Sequence, residues 1–251
     1  MIKQYKISVP KSTLNDIYKK VREFPWNDAQ NMSGWEYGTN LNYLKSISKY
    51  WISKYNWKKF ENKINSFKNY KTKVEDINLH FIFEKSKNPN SRPLLLLHGW
   101  PGSISEFLNI IPRLAHPEKY GGKIEDGFDV IVPSLPGFGF SSQIKKALGP
   151  RKIGKMLNKF MVKNLGYKNY FVQGGDWGAT IAGWIGLDSS KNCKGIHINC
   201  LPLRHPKGPK NSKEKKWEKK FNFDQIMQEG YRTQQATKPQ TLSYAMIDSP
   251  V

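Results

Sequence analysis

The chain has 251 residues, room for one large domain or one domain with an extension, and carries a net charge of +21 from 41 Lys and Arg against 20 Asp and Glu. The basic residues are mostly Lys, spread along the chain beside abundant Asn, a pairing that nucleotide bias produces without selection for binding, so nucleic acid is not the expected partner. No apolar run is long enough to cross a membrane, Met1 to Lys6 lacks the apolar stretch of a signal peptide, and Cys193 and Cys200 offer neither a disulfide framework nor a metal-ligand spacing, which makes a reducing compartment the default.

Residues 12–24 read as an amphipathic helix capped by Ser12 and stopped by Pro25, with Leu14, Ile17, Tyr18 and Val21 at helical spacing. Residues 26–40 read as loop. A second helix places Leu44, Ile47, Trp51 and Tyr55 on one face, and a shorter one carries Trp57, Phe60 and Ile64. From about residue 67 the period changes. Ile77, Leu79, Phe81 and Phe83 alternate as in a strand, and Pro93 to Leu97 is a continuous apolar run of the kind buried on both faces. That run enters His98-Gly99-Trp100-Pro101-Gly102-Ser103, and a helical pattern with Ile104, Phe107, Leu108 and Ile111 follows.

The strand Phe128 to Val132 runs into Pro133-Ser134-Leu135-Pro136-Gly137-Phe138-Gly139-Phe140-Ser141. A helix with Ile153, Met156, Leu157, Phe160 and Leu165 precedes the apolar run at Tyr170, which ends in Gly174-Gly175-Asp176-Trp177-Gly178. Helix 177–188 and a strand at 196–198 complete an alternation that predicts a mainly parallel sheet with helices on both faces. After Leu201 the pattern is broken by Pro202, Pro206 and Pro209, around the start of a basic run from Lys207 to Lys220 that surrounds Trp217. That run reads as a solvated surface segment, with a polyanion or an anionic lipid headgroup as the other readings. A mixed helical segment ends the chain.

Chemistry concentrates at Asp176. Strand, small-residue turn and helix is the context of a nucleophile elbow, here Gly-x-Asp-x-Gly in place of Gly-x-Ser-x-Gly. A carboxylate at that point can attack a saturated carbon. A Gly-rich turn with a solvated Asp is the plain alternative. The His98 turn can aim a backbone N–H at a site on the strand ends, with a Trp100–Pro101 bond that is a candidate for cis. His98 itself reads as a residue that fixes loop geometry, rather than as a general base.

His98 to Ser103, Leu135 to Ser141 and Gly174 to Gly178, in that order, resemble the α/β-hydrolase-fold epoxide hydrolases, most closely the microsomal and juvenile-hormone type. Val9-Pro10, Phe24-Pro25-Trp26, Trp35 with Tyr37-Gly38, Tyr50-Trp51 and Asn56-Trp57 resemble that group's N-terminal meander. Gly230-Tyr231 through Gln235, Thr237 to Leu242 and Asp248-Ser249-Pro250-Val251 resemble its lid. The resemblance implies an α/β-hydrolase fold, incomplete at the C-terminus, with a meander over 1–68, the first part of the core over 69–201 and the beginning of a lid over 202–251. It also implies that Asp176 opens an epoxide through an alkyl-enzyme ester, that Tyr231 gives the leaving oxygen a proton, and that the backbone N–H groups of Trp100 and Trp177 form the oxyanion hole. No metal or organic cofactor is needed, and the expected partner is a small lipophilic epoxide.

The family's hydrolytic His and its orienting acid lie C-terminal to the lid. The histidines here are His80, His98, His116, His197 and His205, and none follows it. The expectation is therefore a fragment holding the nucleophile half of a site, with His197 packed in its strand. Haloalkane dehalogenase chemistry and non-catalytic binding of a hydrophobic ligand are the alternatives. The compartment reads as cytoplasmic, or the endoplasmic reticulum membrane if an N-terminal anchor is missing; the sequence does not set the oligomeric state.

Overall fold

A computed structural model describes residues 1–30, 34–200 and 206–251, so His205 lies outside the described residues. The chain divides into two compact units, one of residues 1–8 and 58–202 and one of 9–57 and 203–251.

The first unit is built on a seven-stranded sheet: β1 (Lys3–Gln4), β2 (Asn69–Val74), β3 (Ile77–Glu84), β4 (Arg92–Leu97), β5 (Phe128–Pro133), β6 (Tyr170–Gly174) and β7 (Cys193–Ile198). Their order is β1-β2-β3-β5-β4-β6-β7. The pairs β5–β4, β4–β6 and β6–β7 are parallel, and β1–β2, β2–β3 and β3–β5 are antiparallel. The sheet is thus evenly mixed, where the alternation of elements predicts a mainly parallel one. The difference lies in β1 and β2, whose residues carry little apolar alternation. A two-residue turn joins β2 directly to β3, and only an antiparallel pair can be closed that tightly.

Both faces of the sheet are covered. Leu95 and Leu97 of β4 join Ile131, Val172, Phe81 and residues of helices α5 (Pro150–Lys159) and α6 (Trp177–Asp188) in one core cluster. Leu96, Val130, Val132 and Ile82, one residue out of phase, pack with Ile64 of helix α3 (Trp57–Asn65) and Ile111 of the short helix α4 (Ile111–Ala115) in the other. Burial of the β4 leucines contributes roughly 2 kcal/mol each, and the parallel centre follows from that continuous apolar run. The helix predicted after Ser103 is broken into a 3₁₀ turn, Ile104–Phe107, and α4. Pro112, without an N–H, sits in the first turn of α4 and can start a helix but not continue one. His197 is exposed on β7, the outermost strand, and is not packed as expected.

In the second unit, helix α1 runs from Lys11 to Arg22, with Pro10 at φ −58° as its N-cap and no side-chain cap. The ring presets the entry, so Ser12 falls inside the first turn and does not cap. The helix ends before Phe24, whose α conformation the Pro25 ring disfavours. Helix α2 (Leu41–Ser53) is capped by Asn40, which accepts the Tyr43 N–H at 3.0 Å. Ser48 is its one buried residue, and Ile47 is exposed, so the inward stripe is rotated from the predicted one; Tyr55 lies beyond its end. The basic run enters helix α7 (Ser212–Gln228), capped by Asn211 and followed by α8 (Gly230–Thr237) and α9 (Pro239–Asp248). No helix among the described residues is long and apolar enough to cross a membrane.

Candidate active site

Parallel strands β4 and β6 end side by side, Leu97 level with Gly174, and the chain leaves each through a turn. Asp176 stands on the second turn at φ 50°, ψ −125°, a conformation that a non-glycine residue adopts at a cost of about 1–3 kcal/mol. The turn is held by close packing. A Cβ on Gly174 would lie 2.1 Å from the Gly178 carbonyl oxygen, and one on Gly178 would lie 2.1 Å from that of Leu97. The start of α6 therefore rests directly on the strand backbones, and only glycine leaves room for it.

Asp176 is the N-cap residue of α6, yet its side chain makes no capping hydrogen bond. It turns instead to the loop after β4, where the Trp100 N–H donates to Oδ1 at 2.9 Å. The carboxylate is exposed to solvent and sits at the positive end of a 12-residue helix, with one oxygen held by a backbone donor. Trp177 N–H is the first of α6 and has no acceptor within the helix. Among the described residues no hydrogen bond joins it to Asp176. Trp100 and Trp177 present partly exposed indole rings.

The loop that carries Trp100 is fixed from three sides. His98 is buried, and its ring bridges the Gly99 carbonyl through Nδ1 at 2.9 Å and the Leu135 N–H through Nε2 at 3.0 Å. Because Leu135 can only donate, Nε2 accepts, and Nδ1 carries the proton. Burial, the larger influence, pushes the His98 pKa down, and the Gly99 hydrogen bond opposes it. His98 is thus the geometry-fixing residue the sequence suggests, tying the 98–103 loop to the 134–141 loop. The Trp100–Pro101 bond is cis. Ser103 and Glu106 close the loop as a capping box, with the Ser103 N–H donating to Glu106 Oε1 at 3.2 Å.

Two features have no counterpart in the sequence reading. His80, fully buried on β3, faces Ser134 Oγ with Nδ1 at 2.9 Å and Asn69 Oδ1 with Nε2 at 3.1 Å. Asn69 Nδ2 donates to the Ile64 and Phe67 carbonyls, so its Oδ1 must accept and His80 Nε2 carries the proton. Ser141 Oγ accepts the His80 N–H and donates to the Ser134 carbonyl, which closes the 134–141 loop on β3. Desolvation and then Lys71 lower the His80 pKa to about 3. The available signal was a histidine in an otherwise apolar strand. The second feature is Asn199, just past β7: a Cβ on Gly175 would lie 2.5 Å from its Oδ1, so the amide packs against the elbow.

Tyr231 lies on α8 in the other unit and is exposed. No hydrogen bond joins Asp176 to a histidine among the described residues. His116 Nε2 lies 3.0 Å from Glu84 Oε1, and the ring nitrogens of His80 and His98 are taken up by the contacts above.

Residues 2–107 match the model of the epoxide hydrolase N terminus, and residues 92–245 match that of the α/β-hydrolase fold. A protein of Stigmatella aurantiaca is 38% identical over 257 residues, covering 99% of this chain and 57% of its own length. Epoxide hydrolase 1 of the rabbit, Oryctolagus cuniculus, is 34% identical over 273 residues, covering 100% of this chain and 60% of its own. The juvenile hormone epoxide hydrolase of the silkworm Bombyx mori superposes with a TM-score of 0.87 at 29% identity, over all of this chain and 63% of that one. The chain therefore spans less than two thirds of the length of these relatives. A strained Asp between β6 and α6, a backbone donor from the turn after β4 and both family matches converge: the chain belongs to the α/β-hydrolase fold family and is similar to its microsomal and juvenile-hormone epoxide hydrolases.

Proposed function

We propose that the chain belongs to an epoxide hydrolase that converts lipophilic epoxides to vicinal diols through an ester of Asp176. The observation that carries this reading is the Trp100 N–H on Asp176 Oδ1, which makes the two carboxylate oxygens unequal. Oδ2 is the attacking atom: its lone pair forms a bond to a ring carbon, and the ring C–O bond breaks towards the ring oxygen. That oxygen takes a proton, from Tyr231 in the role its motif implies, and a hydroxyalkyl ester remains. Oδ1 is then the ester carbonyl oxygen, already beneath its donor. When water adds to the carbonyl carbon, the negative charge develops on Oδ1, where the Trp100 N–H stabilises it, with the Trp177 N–H as the second proposed donor. Collapse breaks the Cγ–Oδ2 bond; one proton of the water goes to the leaving alkoxide and the other returns to Tyr231, so the diol leaves and the carboxylate and the tyrosine are restored.

Displacement of halide would use the same carboxylate. The match of residues 2–107 to the epoxide hydrolase N terminus favours the epoxide. The water-activating step is assigned to none of the histidines among the described residues, because His80 and His98 hold loops, His116 faces Glu84, and no described histidine bonds to Asp176. The 251 residues are thus proposed to alkylate without turning over. Exposure of the chain to an aryl epoxide, followed by intact-mass and peptide mass spectrometry, tests this. One adduct of the epoxide's own mass on the Asp176 peptide is expected, and none in Asp176→Ala. An adduct that persists in Asp176→Ala, or diol formed over many turnovers, would overturn it.

A further inference from the structure

Leu135, His98, Gly99, Trp100 and Asp176 form one line of hydrogen bonds, all within the first unit. The Leu135 N–H donates to His98 Nε2 at 3.0 Å, His98 Nδ1 donates to the Gly99 carbonyl at 2.9 Å, and the Trp100 N–H donates to Asp176 Oδ1 at 2.9 Å. The middle link is a single peptide unit. The Gly99 carbonyl and the Trp100 N–H share its plane and point in opposite directions, so whatever holds the carbonyl also aims the N–H. Gly99 has no Cβ because Asp176 leaves no room for one, and the same absence leaves the backbone free to turn. A half-turn of the unit would bring the Gly99 carbonyl against the Asp176 carboxylate and the Trp100 N–H against the proton on His98 Nδ1, so both ends would repel.

We infer that His98 is a positioning residue for the reaction: the proton on its Nδ1 sets the Gly99–Trp100 peptide so that the N–H, and not the carbonyl, faces Asp176. Leu135 decides where that proton sits. Its N–H can only donate, so Nε2 stays bare and Nδ1 carries the hydrogen. The ring is held in place, 1% exposed and edge-on to Phe138 with centroids 5.3 Å apart and planes at 68°. Burial also pushes the His98 pKa down, which keeps the ring neutral and Nε2 able to accept. The 134–141 loop thus acts on the nucleophile at one remove, through the ring and then the peptide. The orientation of the donor rests on these contacts alone; its effect on ester cleavage rests on the epoxide chemistry proposed above.

Two substitutions separate this role from a simple tie between loops. His98→Asn keeps an amide donor near the place of Nδ1 and offers nothing to Leu135. His98→Gln sets an amide oxygen near the place of Nε2, where Leu135 can donate to it, and leaves nothing at Nδ1. In the isotope-labelled parent chain, NMR of the His98 ring should show it neutral with its proton on Nδ1, and the Trp100 amide should be protected from hydrogen exchange. His98→Asn should keep most of that protection. His98→Gln should speed the exchange of this amide at least about tenfold, as expected for loss of a hydrogen bond to a charged group. In chains first alkylated with an aryl epoxide, cleavage of the Asp176 ester by hydroxide should slow at least about tenfold in His98→Gln, because the charge that develops on Oδ1 has lost a donor. A proton on Nε2 in the parent would overturn the inference, and that measurement needs no variant to fold. Parent-like protection of Trp100 in His98→Gln would also overturn it, as would equal loss in both variants, which would leave His98 a tie between loops and no more. If the amides behave as expected and no ester forms, the epoxide reading fails and the positioning of the donor stands.

Discussion

The Trp100 N–H and the Asp176 carboxylate meet at 2.9 Å across 76 positions of sequence, and the residue before Trp100 sets how closely they can meet. A Cβ on Gly99 would stand 2.2 Å from Asp176 Oδ1 and 2.4 Å from its Cβ, so Gly99→Ala must push the nucleophile off its donor. Displacement of an attacking group by an ångström or so costs about a hundredfold in rate. A time course of Asp176 alkylation by mass spectrometry should show that drop, with the fold retained. Alkylation at the parent rate would mean that the close approach of Gly99 does not set the position of the Asp176 carboxylate.

The elbow should also trade stability for reactivity. Asp176 at φ 50° bears strain that alanine keeps and glycine relieves. Some of the gain from glycine is offset by the greater freedom of the unfolded chain, about 0.4–1 kcal/mol. Asp176→Gly should therefore exceed Asp176→Ala in stability by about 1 kcal/mol in urea titrations, and neither should form the adduct. Equal midpoints for the two variants would argue that the turn is unstrained.

Much of this site was legible because its parts are local in sequence. A buried strand followed by His98-Gly99-Trp100-Pro101, and another followed by Gly174-Gly175-Asp176, announce two turns at neighbouring strand ends. The supports were not legible because they are long-range. His80 works through Ser134 and Asn69, and Asn199 lies on Gly175 only because β7 pairs with β6. The antiparallel end of the sheet was hidden for another reason: β2 reads Asn-Tyr-Lys-Thr-Lys-Val, and its partners, not its own apolar content, make it a strand. Composition hid the helix in the basic run as well, since lysine-rich loops and lysine-rich exposed helices look alike without a capping residue such as Asn211.

Two glycines of α6 should respond in opposite directions to the same change. Gly178→Ala drives a methyl group to 2.1 Å from the Leu97 carbonyl oxygen and 2.9 Å from that of His98, both backbone atoms that cannot step aside cheaply. A loss of about 2–3 kcal/mol is expected, typical of overpacking against a fixed neighbour. Gly183→Ala meets nothing within 4 Å and should gain about 0.5–1 kcal/mol from helix propensity. Thermal melts of the two single variants check the contrast, and a shift of both in one direction would contradict the packing described for the elbow.

The loop that contains Ser134 and Ser141 should make the fold sensitive to acid. His80 has a pKa of about 3 in the folded chain against about 6.5 in an unfolded one, and His98 is shifted the same way. Below pH 6.5 the unfolded chain binds protons that these buried rings do not take up, so unfolding becomes easier as the pH falls. The contribution of His80 is complete above pH 6.5, declines by about 1.4 kcal/mol per pH unit below it, and is exhausted near pH 3. His80→Gln keeps one donor and one acceptor near Asn69 and Ser134 but has no group that titrates. It should be less stable than the parent at pH 7.5, because glutamine does not reproduce the ring's shape between Tyr5 and Phe140. Between pH 6 and 4 it should lose stability less steeply than the parent, by about 1.4 kcal/mol per unit. Urea titrations of both chains across that range measure the two slopes. Parallel slopes would mean that His80 is protonated in the folded chain, which its contacts with the Asn69 amide oxygen and the Ser134 hydroxyl could accommodate only if that hydroxyl turned to accept.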